Sequence, residues 1–62
     1  MKTFVSIYRD KDGSTFVGEM VETDRVEELV DAEQAVLEDI PTLVSVDICE
    51  VYTSLHKETF AA

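Results

Sequence analysis

Basic residues are scarce in this chain: five lysines and arginines stand against fourteen aspartates and glutamates, a formal charge of −9 over 62 residues. That acidity repels the phosphates of DNA, RNA and anionic lipid, so direct nucleic-acid binding is not expected. It raises solubility, costs folding stability through self-repulsion, and makes a basic protein surface the natural attractive partner. Cysteine is nearly absent as well, and a single Cys49 rules out a disulfide within the chain. One cysteine and one histidine, His56, also exclude a thiolate–imidazole zinc site built by one copy. No apolar run approaches the ~20 residues of a membrane-spanning helix. The opening "MKTFVSIYRD" turns charged without a small-residue cleavage site and reads as a strand rather than a signal peptide. A free thiol without an export signal fits a reducing cytoplasm, that of the host if the protein is viral. Neither a glycine-rich phosphate loop nor a nucleotide motif occurs, so no cofactor or metal is expected.

Sixty-two residues make one domain. A chain of this length buries only ~60% of its unfolded surface, and its core supplies ~3–5 kcal/mol, so a second subunit would help. "TFVSIYR" (Thr3–Arg9) and "STFVGEMVE" (Ser14–Glu22) are rich in the β-branched and aromatic residues of strands. Between them, "DKDG" predicts a three-residue hairpin loop, with Gly13 taking the positive φ of a bulge. That turn predicts Tyr8 opposite Phe16, Ile7 opposite Val17, Ser6 opposite Gly18, Val5 opposite Glu19 and Phe4 opposite Met20. Asp24 is the expected helix N-cap with Glu27 completing a capping box, and Pro41 the expected stop. "TLVSVDICEVYT" (Thr42–Thr53) alternates apolar and polar as a third strand, and residues 54–62 read as a fraying tail, a helical turn or an extension of that strand. The expected fold is α+β, in the order β-β-α-β. A three-stranded, mainly antiparallel sheet carries one amphipathic helix on one face.

Seven carboxylates crowd "DRVEELVDAEQAVLEDI" (Asp24–Ile40). On a helix turning about 100° per residue, Val26, Leu29, Val30, Val36, Leu37 and Ile40 share one side. Glu27, Glu28, Asp31, Glu38 and Asp39 share the other, as the solvated half of an amphipathic helix or as a strip offered to a basic partner. Glu33 is the exception. It projects into the middle of the apolar side, where a lone carboxylate costs several kcal/mol unless paired. It snorkels out past a short sheet or pairs with Lys2, Arg9 or His56; otherwise it marks a site, as a proton-sharing acid or a contact to a second subunit.

Strand alternation assigns Phe4, Ser6, Tyr8, Phe16, Gly18 and Met20 to the face under the helix, with Val44, Val46, Ile48 and Tyr52 from the third strand. The other face then holds Val5, Ile7, Val17, Val21, Cys49 and Val51, interrupted by Arg9, Glu19 and Asp47. So many exposed apolar groups exceed what a solitary small domain shows. Leu55 and Phe60 would cover them from within the chain; otherwise the sheet packs on an identical subunit or a foreign protein, with a homodimer favoured by the thin core.

Catalysis is not expected. Cys49 and His56 would face opposite ways along one strand, and nothing near Cys49 in sequence would lower its thiol pKa. "YRDKDGSTFVGE" overlaps a calcium-loop pattern at Asp10, Asp12, Gly13 and Glu19, but Tyr8 occupies the first ligand position and the flanks are strands, so it reads as a turn.

In order of elements, "TFVSIYRDKDGSTFVGEMVETDRVEELVDAEQ" resembles two kinds of small protein. One is the β-β-α-β inhibitor that some phages use to block a host enzyme; the other is the HicB-type antitoxin. HicB-type chains carry a further strand with a "PGC"-like stretch before the helix, whereas here Glu22 runs through "TD" into it. Both resemblances imply stoichiometric protein binding, and neither assigns a residue. The expected function is therefore a small acidic module that inhibits or modulates a larger basic or nucleic-acid-handling protein, in part by nucleic-acid mimicry. The alternatives are a self-associating domain of a salt-adapted organism and an antitoxin-like partner protein.

Overall fold

The computed structural model describes residues 1–55 and 57. Strand β1 (Lys2–Asp10), strand β2 (Thr15–Thr23), helix α1 (Val26–Asp39) and strand β3 (Leu43–Glu50) follow in the expected β-β-α-β order. The sheet order is β2-β1-β3, and β1 is antiparallel to both neighbours. β2 and β3 therefore run parallel with β1 between them, and the helix bridges the gap that a short turn cannot span.

The hairpin turn forms as its residues dictate. The Asp10 amide donates to Ser14 O (3.0 Å) and the Gly13 amide to Asp10 O (3.1 Å). Asp10 Oδ1 accepts from the Asp12 and Ser14 amides, both at 2.9 Å. Gly13 takes φ 89°, a region that costs other residues energy. The turn is also tied to the start of β3, because the Lys11 amide donates to Thr42 O (2.9 Å).

From this turn, Tyr8 pairs with Phe16 and Ile7 with Val17, as the loop predicts. Beyond them the register slips: Val5 pairs with Met20 and Phe4 with Val21. Gly18 and Glu19 thus share the single Ser6, which is a β-bulge in β2. The slip corrects three sequence-based placements. Met20 joins the face of Val5, away from the helix; Val21 joins Phe4 on the helix face; and Glu19 sits in the bulge rather than opposite Val5. One extra residue reverses every later side chain, because the strand period is two.

On the third strand, Val46 pairs with Tyr8 and Ile48 with Ser6, under the helix as expected. Val44 falls in the irregularity between Arg9 and Asp10 and is exposed, while Tyr52 lies beyond the strand's end and is exposed too. Neither joins the core. The ladder continues one step past Glu50, through the Val51 amide to Thr3 O (2.8 Å).

The helix starts later than the sequence suggests. Asp24 makes no cap; Arg25 occupies the N-cap position without a side-chain capping hydrogen bond. The Thr23 hydroxyl accepts from the Arg25 amide (3.0 Å), so the chain turns through a threonine before the helix begins. Pro41 does end it: Ile40 is already extended at φ −107°, ψ 106°. Val26, Leu29, Glu33, Val36 and Leu37 are half-buried, the i, i+3, i+7 stripe that faces a sheet. The helix runs closest to β3 and leaves most of β2 exposed. Phe16, on the helix side of β2, is consequently 53% exposed.

Candidate functional site

Three features outside the turn and caps stand out: an uncovered sheet face, an acidic helix surface, and a polar group under the helix. The uncovered face is centred on Val5 and Ile7 of β1, both half-buried by their neighbours. β2 contributes Val17 and Met20 (72% and 65% exposed), and β3 contributes Cys49 opposite Val5. Val51 extends the face beside Thr3, while Arg9 and Asp47 bound it toward the hairpin turn. Of the residues expected here, Val5, Ile7, Val17, Cys49 and Val51 share this face. Glu19 and Val21 do not, and Met20 is the member that strict alternation misses. Its signal was Gly18, since an isolated glycine inside a strand marks a bulge as readily as close packing. Leu55 stands 92% exposed rather than folded over the patch. Phe60, His56 and most of the expected tail lie outside the described residues.

Glu27, Glu28, Asp31, Glu38 and Asp39 are exposed on the helix, apart from its half-buried stripe. Glu28 Oε1 pairs with Arg25 Nη1 at 3.2 Å, and Glu38 Oε1 accepts from Gln34 Nε2 at 3.4 Å. The last turn has no basic residue. Glu27 and Glu28 suit the positive end of the helix dipole, but Glu38 and Asp39 sit at its negative end, each losing about 0.3–1 kcal/mol. Helix stability does not account for those two charges.

Under the helix, Ser6 is the one buried polar residue among those described, 4% exposed. Beside it the Tyr8 ring lies across Gly18, where an added Cβ would come within 3.0 Å of Tyr8 Cε2. The glycine therefore seats an aromatic ring, not the helix backbone expected above it. Glu33 faces this cluster. Interaction with the Glu33 carboxylate, ahead of desolvation, raises the Tyr8 pKa above the ordinary 10.0. Glu33 Oε2 is buried and accepts no hydrogen bond. Lys2, one expected partner, is engaged with Glu50 Oε1 at 3.4 Å, and Arg9 belongs to the uncovered face. A tyrosine, which sequence charge-matching does not consider, takes the role.

Two shallow apolar depressions flank the helix. One, about 360 Å³, is lined by Tyr8, Phe16, Val36, Ile40, Thr42 and Leu43. The other, about 320 Å³, lies at the opposite end among Met1, Lys2, Phe4, Thr23, Asp24 and Val26. Both are open grooves created by the helix's offset toward β3. Among the described residues no group of three or more His, Cys, Asp or Glu side chains is arranged to hold a metal ion, and no helix is long and apolar enough to cross a membrane. In comparisons with protein-family models, curated proteins and solved structures, the chain matches none.

Proposed function

We propose that the chain is a small acidic protein-binding module that docks on a basic surface of a larger protein and modulates it stoichiometrically. One observation carries this reading: among the described residues not one hydrophobic side chain is buried. Val17 and Met20 stand exposed within the sheet itself. Association supplies the apolar burial that the isolated chain lacks.

The acids set the kind of partner. A like-charged surface spanning Glu27 to Asp39 speeds encounter with a basic protein, while the uncovered sheet face provides apolar contact after docking. If the partner handles nucleic acid, these carboxylates stand in for phosphates. The charges of Glu38 and Asp39, placed where the helix dipole opposes them, favour a role beyond stabilising the helix.

The test is capture of proteins on the immobilised chain, at low and high salt. It is repeated with a variant in which Glu27, Glu28, Asp31 and Glu38 are changed together to the neutral amides. Basic proteins retained at low salt, released as salt rises, and lost with the amide variant support the reading. Retention indifferent to salt and to the variant would refute it. A second reading, a self-associating domain whose charge serves solvation in a salt-adapted cell, is favoured by acids spread beyond the helix, at Glu19, Glu22, Asp47 and Glu50. A fold that requires molar salt would select it.

A further inference from the structure

We propose that two copies of this chain join through their β2 edges, antiparallel about a twofold axis beside the Gly18–Glu19 peptide, forming one six-stranded sheet. β2 is an edge strand, so half its backbone groups face outward without a partner strand. Which half follows from two hydrogen bonds. Asp10 bonds Ser14 across the turn, so Thr15 and Val17 stand at the alternate, outward-facing positions of β2. At the other end the Thr3 carbonyl accepts from the Val51 amide, one residue past β3, so Thr3 and Val5 turn away from β2, and their partners Glu22 and Met20 face outward.

These four positions are symmetric about the bulge. An axis there sets Val17 against Met20 of the second copy, and Thr15 against its Glu22, both as outward-facing pairs. Phe16 then lies opposite Val21. The faces match as well: Val17 and Met20 share the uncovered face, and Phe16 and Val21 share the helix face. In an unbulged strand, residues three apart point to opposite sides, and this register would set mismatched faces together. A bulge ordinarily blunts an edge; here it makes the edge complementary to itself. Phe16, Val17, Met20 and Val21, all exposed in one copy, gain neighbours on both sides of the joined sheet. The helices do not collide, because each lies toward its own β3. Glu19 of each copy flanks the axis, so the pairing works against charge repulsion and strengthens with salt.

Sedimentation of the full chain is expected to show a dimer whose fraction rises with salt, opposite in sign to capture of a basic partner. Met20→Pro removes one outward amide while sparing the bonds to β1, and should give a folded monomer. A second variant does not depend on tolerance of proline: Val17→Cys with Met20→Cys in a Cys49→Ser chain. Across the axis the two new thiols sit on Cα atoms about 5.5 Å apart, whereas within one chain the bulge sets the two positions opposite Ile7 and Val5, about 7 Å apart and at the limit of bridging. Oxidation should therefore yield a covalent dimer at low protein concentration. A wild-type chain that stays monomeric in high salt, or thiols that fail to cross-link, overturns the proposal. The amide variant of the helix acids should still dimerise, so this proposal and the basic-partner reading fail separately.

Discussion

Replacing Glu33 with leucine is the most direct probe of the polar group under the helix. Glu33 Oε2 is buried without a hydrogen-bond partner, and leaving such an acceptor unsatisfied costs about 1–3 kcal/mol. Leucine removes that penalty and adds part of the ~1.5–3 kcal/mol that burying a full aliphatic side chain contributes. Against these stands the lost contact with Tyr8. Because Glu33 is only half-buried, the expected net gain is about 1–2 kcal/mol, or roughly 5–15 °C in Tm for a domain of this size. Thermal and denaturant unfolding measure it directly.

The same substitution has a spectroscopic signature. Glu33 raises the Tyr8 pKa above 10.0, so between the unfolded and folded values the native state holds more protons than the unfolded one. Stability from this pairing is therefore complete below pH ~10 and falls as pH climbs through the folded pKa. In a Tyr52→Phe background, Tyr8 is the remaining tyrosine, and Glu33→Leu should bring its titration down toward 10.0. A variant less stable than the parent, or an unmoved phenol titration, would refute the account of Glu33 as an underpaired acid held near Tyr8.

Two further substitutions test the strand geometry. Gly18→Val should cost about 1–3 kcal/mol by overpacking, because its Cβ would press on Tyr8 at 3.0 Å and on Ser6 O at 3.4 Å; a neutral result in denaturant unfolding would deny that the ring is seated there. Gly13→Ala meets no atom within 4 Å, so its loss of about 1–2 kcal/mol comes from backbone handedness alone, and Gly13→Asn should recover part of it.

Features governed by local chemistry were legible in the sequence. The Asp-rich turn with Gly13, the stop at Pro41 and the alternation of β3 from Ser45 to Cys49 each depend on residues adjacent in the chain, and each formed as those residues require. The helix start was not, because Asp24 and Thr23 both offer an oxygen to a free amide and only the chain's path decides which is used. Glu33 was legible as an anomaly but not as a pair. The tyrosine that approaches it is 25 positions away, and a search for opposite charge passes over a neutral donor.

The bulge is the instructive miss, since it changes what the edge strand can do. "FVGEMVE" read with strict alternation puts Glu19 among Val5 and Ile7 on the uncovered face and hides Met20 beneath the helix. Sharing Ser6 between Gly18 and Glu19 instead frees Glu19 from that face and brings Met20 onto it. The uncovered face thereby becomes more apolar than alternation allows, and its exposed β2 members fall symmetrically on either side of the bulge. The bulge's place on an edge strand with mostly exposed side chains is the geometry on which the proposed edge-to-edge pairing rests.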